Sequence, residues 1–243
     1  SKFLFEIFNL TLPQNYETKK FLRFLGAKKI SFAGNLKFSE SKSQNYNNLN
    51  KNIKKIFKSR KVWCAASTHF GEEKLCAEAH QKLRKKFKNL LTIIIPRHVQ
   101  RVNDIYKEIS HMGLKVQIHS NTNKIKKDTD IYVVDTYGET KSFFKLCNVV
   151  FLGKSFKNHG GQNPIEPARF GCKILHGPNT QNFTEVYNLL EKENITSKIN
   201  NSYKLVKYVN LALSHNAKFY RKVTKLKKLG SNILNNNLSK INY

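Results

Sequence analysis

Apolar positions along this chain come in two spacings. Short unbroken runs such as Asn148-Val149-Val150-Phe151-Leu152 and Ile93-Ile94-Ile95 have the length of buried strands, and the stretches between them repeat apolar residues every three or four positions, as amphipathic helices do. The pattern predicts a helix over 17–25, closed by Gly26, and a strand over 28–32 that runs out at Gly34-Asn35-Leu36-Lys37-Phe38. A stretch over 39–52 rich in Ser, Asn, Gln and Lys reads as a linker. Beyond it the pattern gives helices over 53–58, 72–87, 100–112, 140–147 and 164–170. Strands over 61–66, 91–95, 115–119, 131–135, 148–152 and 173–176 alternate with them. Two terminal helices follow, over 183–193 and, in broken form, 202–236. Strands and helices alternating at this spacing predict an α/β fold with a parallel sheet covered on both faces, which binds ligands at the carboxyl ends of its strands. No internal repeat is visible.

Composition narrows the class. In 243 residues, 40% hydrophobic with 12% aromatic, there is ample material for a core. No run approaches the roughly 18 apolar residues of a membrane span, and no cleavable signal pattern opens the sequence. The opening Phe3-Leu4-Phe5-Glu6-Ile7-Phe8 reads like the interior of a fold, so an upstream domain is expected. Cys64, Cys76, Cys147 and Cys172 have neither CxxC spacing nor a compact framework, which implies reduced thiols and no zinc site. The net charge of +28 fits a basic surface facing acidic lipid, or the Lys-, Asn- and Ile-rich usage of an AT-rich genome. Nucleic acid is not expected as a partner, because no zinc finger, RNP-type motif or heptad-backed basic region is present.

Four segments carry chemistry at predicted strand ends. The segment Gly153 to Gly171 passes the pair Gly160-Gly161 and enters a helix at Asn163-Pro164-Ile165-Glu166. Asn163 reads as an N-cap with Pro164 at the first helical position. Glu166 then falls in the first turn, where the helix dipole favours a carboxylate whose oxygens can accept from a vicinal diol such as a ribose. Gly160 and Gly161 allow backbone N–H groups to approach an anion closely. Ser67, Thr68 and His69 leave a strand for the helix at Gly71-Glu72-Glu73, a place for contacts to phosphate or sugar. Pro96-Arg97 ends another strand with a guanidinium suited to phosphate or carboxylate. Gly138-Glu139-Thr140 repeats the arrangement. Each segment also has a plain structural reading, as a turn, a cap or a surface ion pair. Together they line one sheet edge.

In sequence these segments resemble one family. AASTHFGEE, the Pro-Arg-His after an apolar strand, DTYGET and FLGKSF…GGQNPIEPA…GP are similar to the 3-deoxy-D-manno-octulosonic acid (Kdo) transferases of lipopolysaccharide assembly. So is the earlier Leu25-Gly26-Ala27…Gly34-Asn35-Leu36-Lys37-Phe38, and the motifs keep the family's order from Leu12 to Tyr187. The resemblance implies a GT-B type glycosyltransferase of two Rossmann-like halves, with 1–38 the tail of an acceptor domain, 39–52 the linker and 53–243 the CMP-sugar-binding domain. It implies CMP-Kdo as donor, a lipid A precursor (lipid IVA) as acceptor, the anionic cytoplasmic face of the inner membrane as location, and no cofactor or metal. Asp128-Thr129-Asp130 has the spacing of a metal-binding pair but immediately precedes a strand and reads as a turn.

By motif, donor binding falls on Pro96, Arg97, Gly138, Glu139, Thr140, Asn163, Pro164, Ile165 and Glu166. Ser67, Thr68, His69, Ser155, Gly160 and Gly161 are further candidate contacts. Lys37, in GNLKF, is implied to stabilise transition-state charge. The physical expectation agrees, since cleaving CMP from the sugar develops negative charge that Arg97, Lys37 and helix N-terminal amides can meet. Lys154 and Gln162 depart from the family's usual Gly and His. The family's general base, a Glu of the N-terminal domain, has no match here, because Glu6, Glu17 and Glu40 do not fit its motif. The competing expectation is a non-catalytic basic module that binds a nucleotide or a membrane surface.

Overall fold

The computed structural model describes residues 2–39, 49–121, 124–156, 160–215 and 220–241, so most of the linker expected over 39–52 lies outside the described residues. Two compact units emerge: Ser1–Gln44 with Arg221–Tyr243, and Asn45–Tyr220. The end of the chain thus departs from the expectation of one domain over 53–243, because the final helix groups with the first 44 residues. Its apolar face supplies the reason. Ile233 packs so closely on Gly34 that a Cβ there would come within 3.0 Å, and Gly230 leaves room for the Phe38 carbonyl.

The smaller unit starts with helices α1 (Lys2–Glu6) and α2 (Tyr16–Phe24). Asn15 caps α2 by accepting from the Thr18 N–H at 2.7 Å. The strand expected over 28–32 is reduced to a single bridge between Thr11 and Ile30. Gly34, at φ +97°, then leads into the one-turn 3-10 helix Leu36–Phe38.

The larger unit runs α3 (Lys51–Ser59), β1 (Lys61–Thr68), α4 (Glu72–Leu83), β2 (Leu90–Pro96), α5 (Val102–His111), β3 (Val116–Ile118), β4 (Ile131–Val133), α6 (Thr140–Leu146), β5 (Val149–Leu152), α7 (Ile165–Arg169), β6 (Lys173–His176), α8 (Thr184–Lys192), β7 (Thr196–Lys198) and α9 (Ser202–His215). The final helix, α10, is Tyr220–Ile241. The seven strands form one parallel sheet in the order β3-β4-β2-β1-β5-β6-β7. Both faces are covered, which is why every residue of β2 is buried and its sequence shows no polar alternation. On one face Trp63, Ala65, Ile94, Val133 and Phe151 pack against apolar positions of α4, α5 and α9. All four cysteines are free and buried, and burial pushes the Cys64 and Cys76 thiols well up.

At the amino end of the sheet the residues of the Asp-Thr-Asp segment are engaged in hydrogen bonds and ion pairs. Asp128 pairs with Lys115 at 2.8 Å, and Asp130 accepts from the Lys115 amide at 2.9 Å and lies 3.3 Å from His80 Nε2. The other His80 nitrogen meets Thr92 Oγ1 at 2.9 Å, which satisfies the one hydroxyl in β2. Burial alone raises the Asp130 carboxyl, but the His80 hydrogen bond, the Lys115 amide and the His80 and Arg84 charges together hold it below its ordinary value. A carboxyl lowered on folding adds stability that is present above its unfolded pKa, near 3.9, and is lost as pH falls through the folded one. Asp130→Asn is therefore expected to lower the urea midpoint at neutral pH and to flatten the further loss on acidification from about pH 5 to 3. Parallel acid limbs for the two chains would contradict this.

Candidate functional site

The strand order reverses at β1, which has β2 on one side and β5 on the other. In such sheets the crevice opens outside the carboxyl ends of the strands at that point. Here the loops after β1 and β5 are drawn together by one buried carboxylate. Glu72, the first residue of α4 and only 4% exposed, accepts four backbone N–H groups. His69 and Lys154 donate to Oε2, each at 2.9 Å, and Ser155 and Phe156 donate to Oε1 at 3.1 and 3.2 Å. Gly153 lies at the crossing of the two loops, where a Cβ would sit 2.4 Å from the Ser67 carbonyl and 2.6 Å from Glu72 Oε2. Ser67 and Lys154 both hold left-handed backbones, at φ 54° and 58°, each costing roughly 1–2 kcal/mol. Of the three non-glycine residues with left-handed backbones among the described residues, these two sit at the junction that Glu72 ties, and the third, Asn194, precedes β7.

The next residue, Glu73, is fully buried and meets Arg101 through two contacts, at 3.0 and 3.3 Å. Burial raises its carboxyl by more than the Arg101 guanidinium lowers it.

Around this clip the structure gathers the other segments at the same sheet edge. Thr68 pairs with Pro96, and the Arg97 amide donates to the Thr68 carbonyl at 3.0 Å while its side chain stays exposed. His69 and His98 meet edge to face at 5.4 Å. Beyond β4, Thr136 donates to Glu139 Oε2, and His119 Nε2 lies 2.9 Å from the same oxygen. Glu166, in α7, pairs with Lys141 of α6 at 3.2 Å. Asn163 accepts from the Ile165 amide at 3.1 Å. The helix starts at Ile165, one residue later than expected, because Pro164, at φ −85° and ψ −5°, is the residue that precedes it.

Four expected ligand contacts are bonded, packed or buried within the fold itself. Ser155 is fully buried, donating to the Leu152 carbonyl at 2.7 Å and accepting from the Gly177 amide at 2.8 Å. The Gly161 amide donates to the Lys154 carbonyl at 2.8 Å, so it is not directed at an anion. Gly160 is left-handed at φ +79° and abuts Asn182, whose side chain a Cβ would meet at 2.6 Å. Thr68 is likewise fully buried. Lys37 belongs to the smaller unit, where its amide donates to Asn35 Oδ1 at 3.0 Å.

Sequence reasoning missed Glu72, His119 and Lys141 as parts of the site. For Glu72 the signal was present, as an acidic residue directly after Gly71, but a first-turn carboxylate usually faces solvent. A shallow cleft of about 660 Å³ at the opposite end of the strands, lined by Lys82, Arg84, Lys85, Lys88 and Asp130 among others, contains none of the candidate residues.

No family model matches the sequence. Among curated proteins it is 30% identical over 164 residues to the 3-deoxy-D-manno-octulosonic acid transferase of Haemophilus influenzae, covering 67% of this chain and 38% of that protein. It is 28% identical over 213 residues to the transferase of the same name from Aquifex aeolicus, covering 88% and 56%. The chain thus spans roughly half or less of the length of these relatives. Among solved structures, the C-terminal CMP-Kdo-binding domain of WaaA from Acinetobacter baumannii matches 73% of this chain and 91% of its own length, with a TM-score of 0.63 and 24% identity. Anabaena HepE, solved with UDP and glucose, matches 96% of this chain and 62% of its own, with a TM-score of 0.55 and 11% identity. The shared architecture is the Rossmann-like fold of GT-B glycosyltransferases.

Proposed function

From the premise that this chain belongs to the 3-deoxy-D-manno-octulosonic acid transferases, we propose that its larger unit holds the CMP-Kdo donor and that the protein transfers Kdo to a lipid A precursor, lipid IVA. The observation that carries this reading is the gathering of segments from β1, β2, β4 and β5 along one edge of the sheet. In the proposed reaction a general base activates an acceptor hydroxyl, which attacks the anomeric carbon with inversion as the bond to CMP breaks. The leaving phosphate gains negative charge. Arg97, exposed just after β2, is assigned to meet it, and Glu166 to the ribose hydroxyls. Lys37 is assigned to charge stabilisation from its motif alone. No metal or cofactor is invoked.

No described helix is long and apolar enough to cross a membrane. With a net charge of +28, the protein is proposed to work at the anionic cytoplasmic face of the inner membrane.

Calorimetric titration with CMP, beside UMP and AMP, tests the donor assignment. CMP should bind in preference to both, and Arg97→Ala and Glu166→Ala should each weaken it about tenfold or more, as expected for lost charge-assisted hydrogen bonds. Steep salt-dependent binding to anionic vesicles without any CMP affinity would instead favour a non-catalytic basic module.

A further inference from the structure

His119 was not among the expected site residues, yet it stands between two elements of the sheet edge. It follows β3, and its amide donates to the Val133 carbonyl at 2.8 Å. Its ring is held edge-on against Tyr132, at 5.5 Å and 89°, and against Phe143, at 6.0 Å and 77°. Nδ1 lies 2.7 Å from the Tyr132 hydroxyl and Nε2 lies 2.9 Å from Glu139 Oε2. Burial, reinforced by the charges of Glu139 and Asp135, pushes the Tyr132 phenol up, so it stays protonated and can donate. That fixes the order of donors in the neutral ring: Tyr132 O–H gives to Nδ1, and Nε2–H gives to Glu139. Thr136 donates to the same carboxylate oxygen. The other oxygen, Oε1, has no protein partner among the described residues.

We propose that His119 is a positioning residue that fixes the Glu139 carboxylate so that Oε1 is presented to a hydroxyl or amino donor of the bound nucleotide. The inference rests on the donor-site reading above. Tyr132 and Thr136 complete the device, one orienting the imidazole and the other sharing its target oxygen. A carboxylate held on one oxygen by two donors keeps a single rotamer and loses less freedom when the ligand arrives.

Two variants separate positioning from packing. His119→Phe keeps the ring contacts and removes both nitrogens, while His119→Gln restores an N–H donor of comparable reach. With thermal unfolding followed in parallel, His119→Phe is expected to weaken CMP about tenfold, and His119→Gln to recover to within about threefold of the parent. In the parent, long-range 1H–15N spectra should show His119 protonated on Nε2 and shifted by CMP. Equal CMP affinity in all three chains, or equal loss in both variants, would overturn the inference while leaving the donor site standing. A folded parent that binds no CMP would overturn both.

Discussion

Glu72→Ala is expected to destabilise the chain by about 3–4 kcal/mol and to remove most of its CMP affinity, although Glu72 is assigned no contact with the nucleotide. The reason is the number of donors that converge on it. Four backbone amides from two loops lose their acceptor at once, in a place where the residue is 4% exposed and water cannot fully replace it. Leaving one buried donor unsatisfied costs about 1–3 kcal/mol, and partial relaxation of the loops keeps the total below the simple sum. Glu72→Gln is the sharper probe. Its shape is nearly unchanged, but its amide nitrogen cannot accept, so the pair of amides facing that atom meets a donor. A loss of about 2–3 kcal/mol by urea unfolding is expected. A midpoint within error of the parent would show that the carboxylate does not tie the loops.

Gly153→Ala is expected to cost a comparable amount for a different reason. The added methyl would lie 2.4 Å from the Ser67 carbonyl and 2.6 Å from Glu72 Oε2, and neither neighbour is the free end of a flexible side chain. Either the β1 loop or the β5 loop must move, and a cost of about 3 kcal/mol or more follows from overpacking combined with lost hydrogen bonds. Because the two substitutions disturb the same junction, their effects should fall short of additive. The double variant, measured by urea unfolding with the two singles, should be less destabilised than their sum by at least about 1 kcal/mol. Strict additivity would mean that the two residues act at separate places.

The sheet was legible in the sequence because most of its strands are buried on both faces. Runs such as those in β2 and β5 contain almost nothing polar, and they are too short and too rich in Val and Ile for helices. The strand expected over 173–176 coincides with β6, whereas the helix expected over 72–87 stops at Leu83. β7 was missed because Thr196-Ser197-Lys198 carries no apolar signal; its burial comes from Ile195 and Ile199 on either side. The strand expected over 28–32 failed in the opposite way, since its pattern was right but among the described residues only Thr11 pairs with it.

At the site, the segments and their order were readable, whereas the uses of single atoms were not. Nothing in a string of letters distinguishes a serine that faces a ligand from one that, like Ser155, bonds Leu152 and Gly177. The contacts of Glu72 with Lys154, Ser155 and Phe156 span 82 to 84 positions and exist only once the parallel sheet has brought β1 and β5 together.

The smaller unit draws on two distant parts of the chain, with Gly34 against Ile233, Gly230 against Phe38 and Lys240 bonded to Ser31. This sets an order of events during synthesis. Residues 1–44 leave the ribosome ahead of the helix they pack against, which emerges only after all of Asn45–Tyr220 has followed. The larger unit, whose contacts lie within one continuous segment, can close while translation continues. Residues such as Phe38, buried in the finished protein, lack the helix that covers them through that interval, so chaperones and proteases keep access to this segment until translation has passed Tyr220.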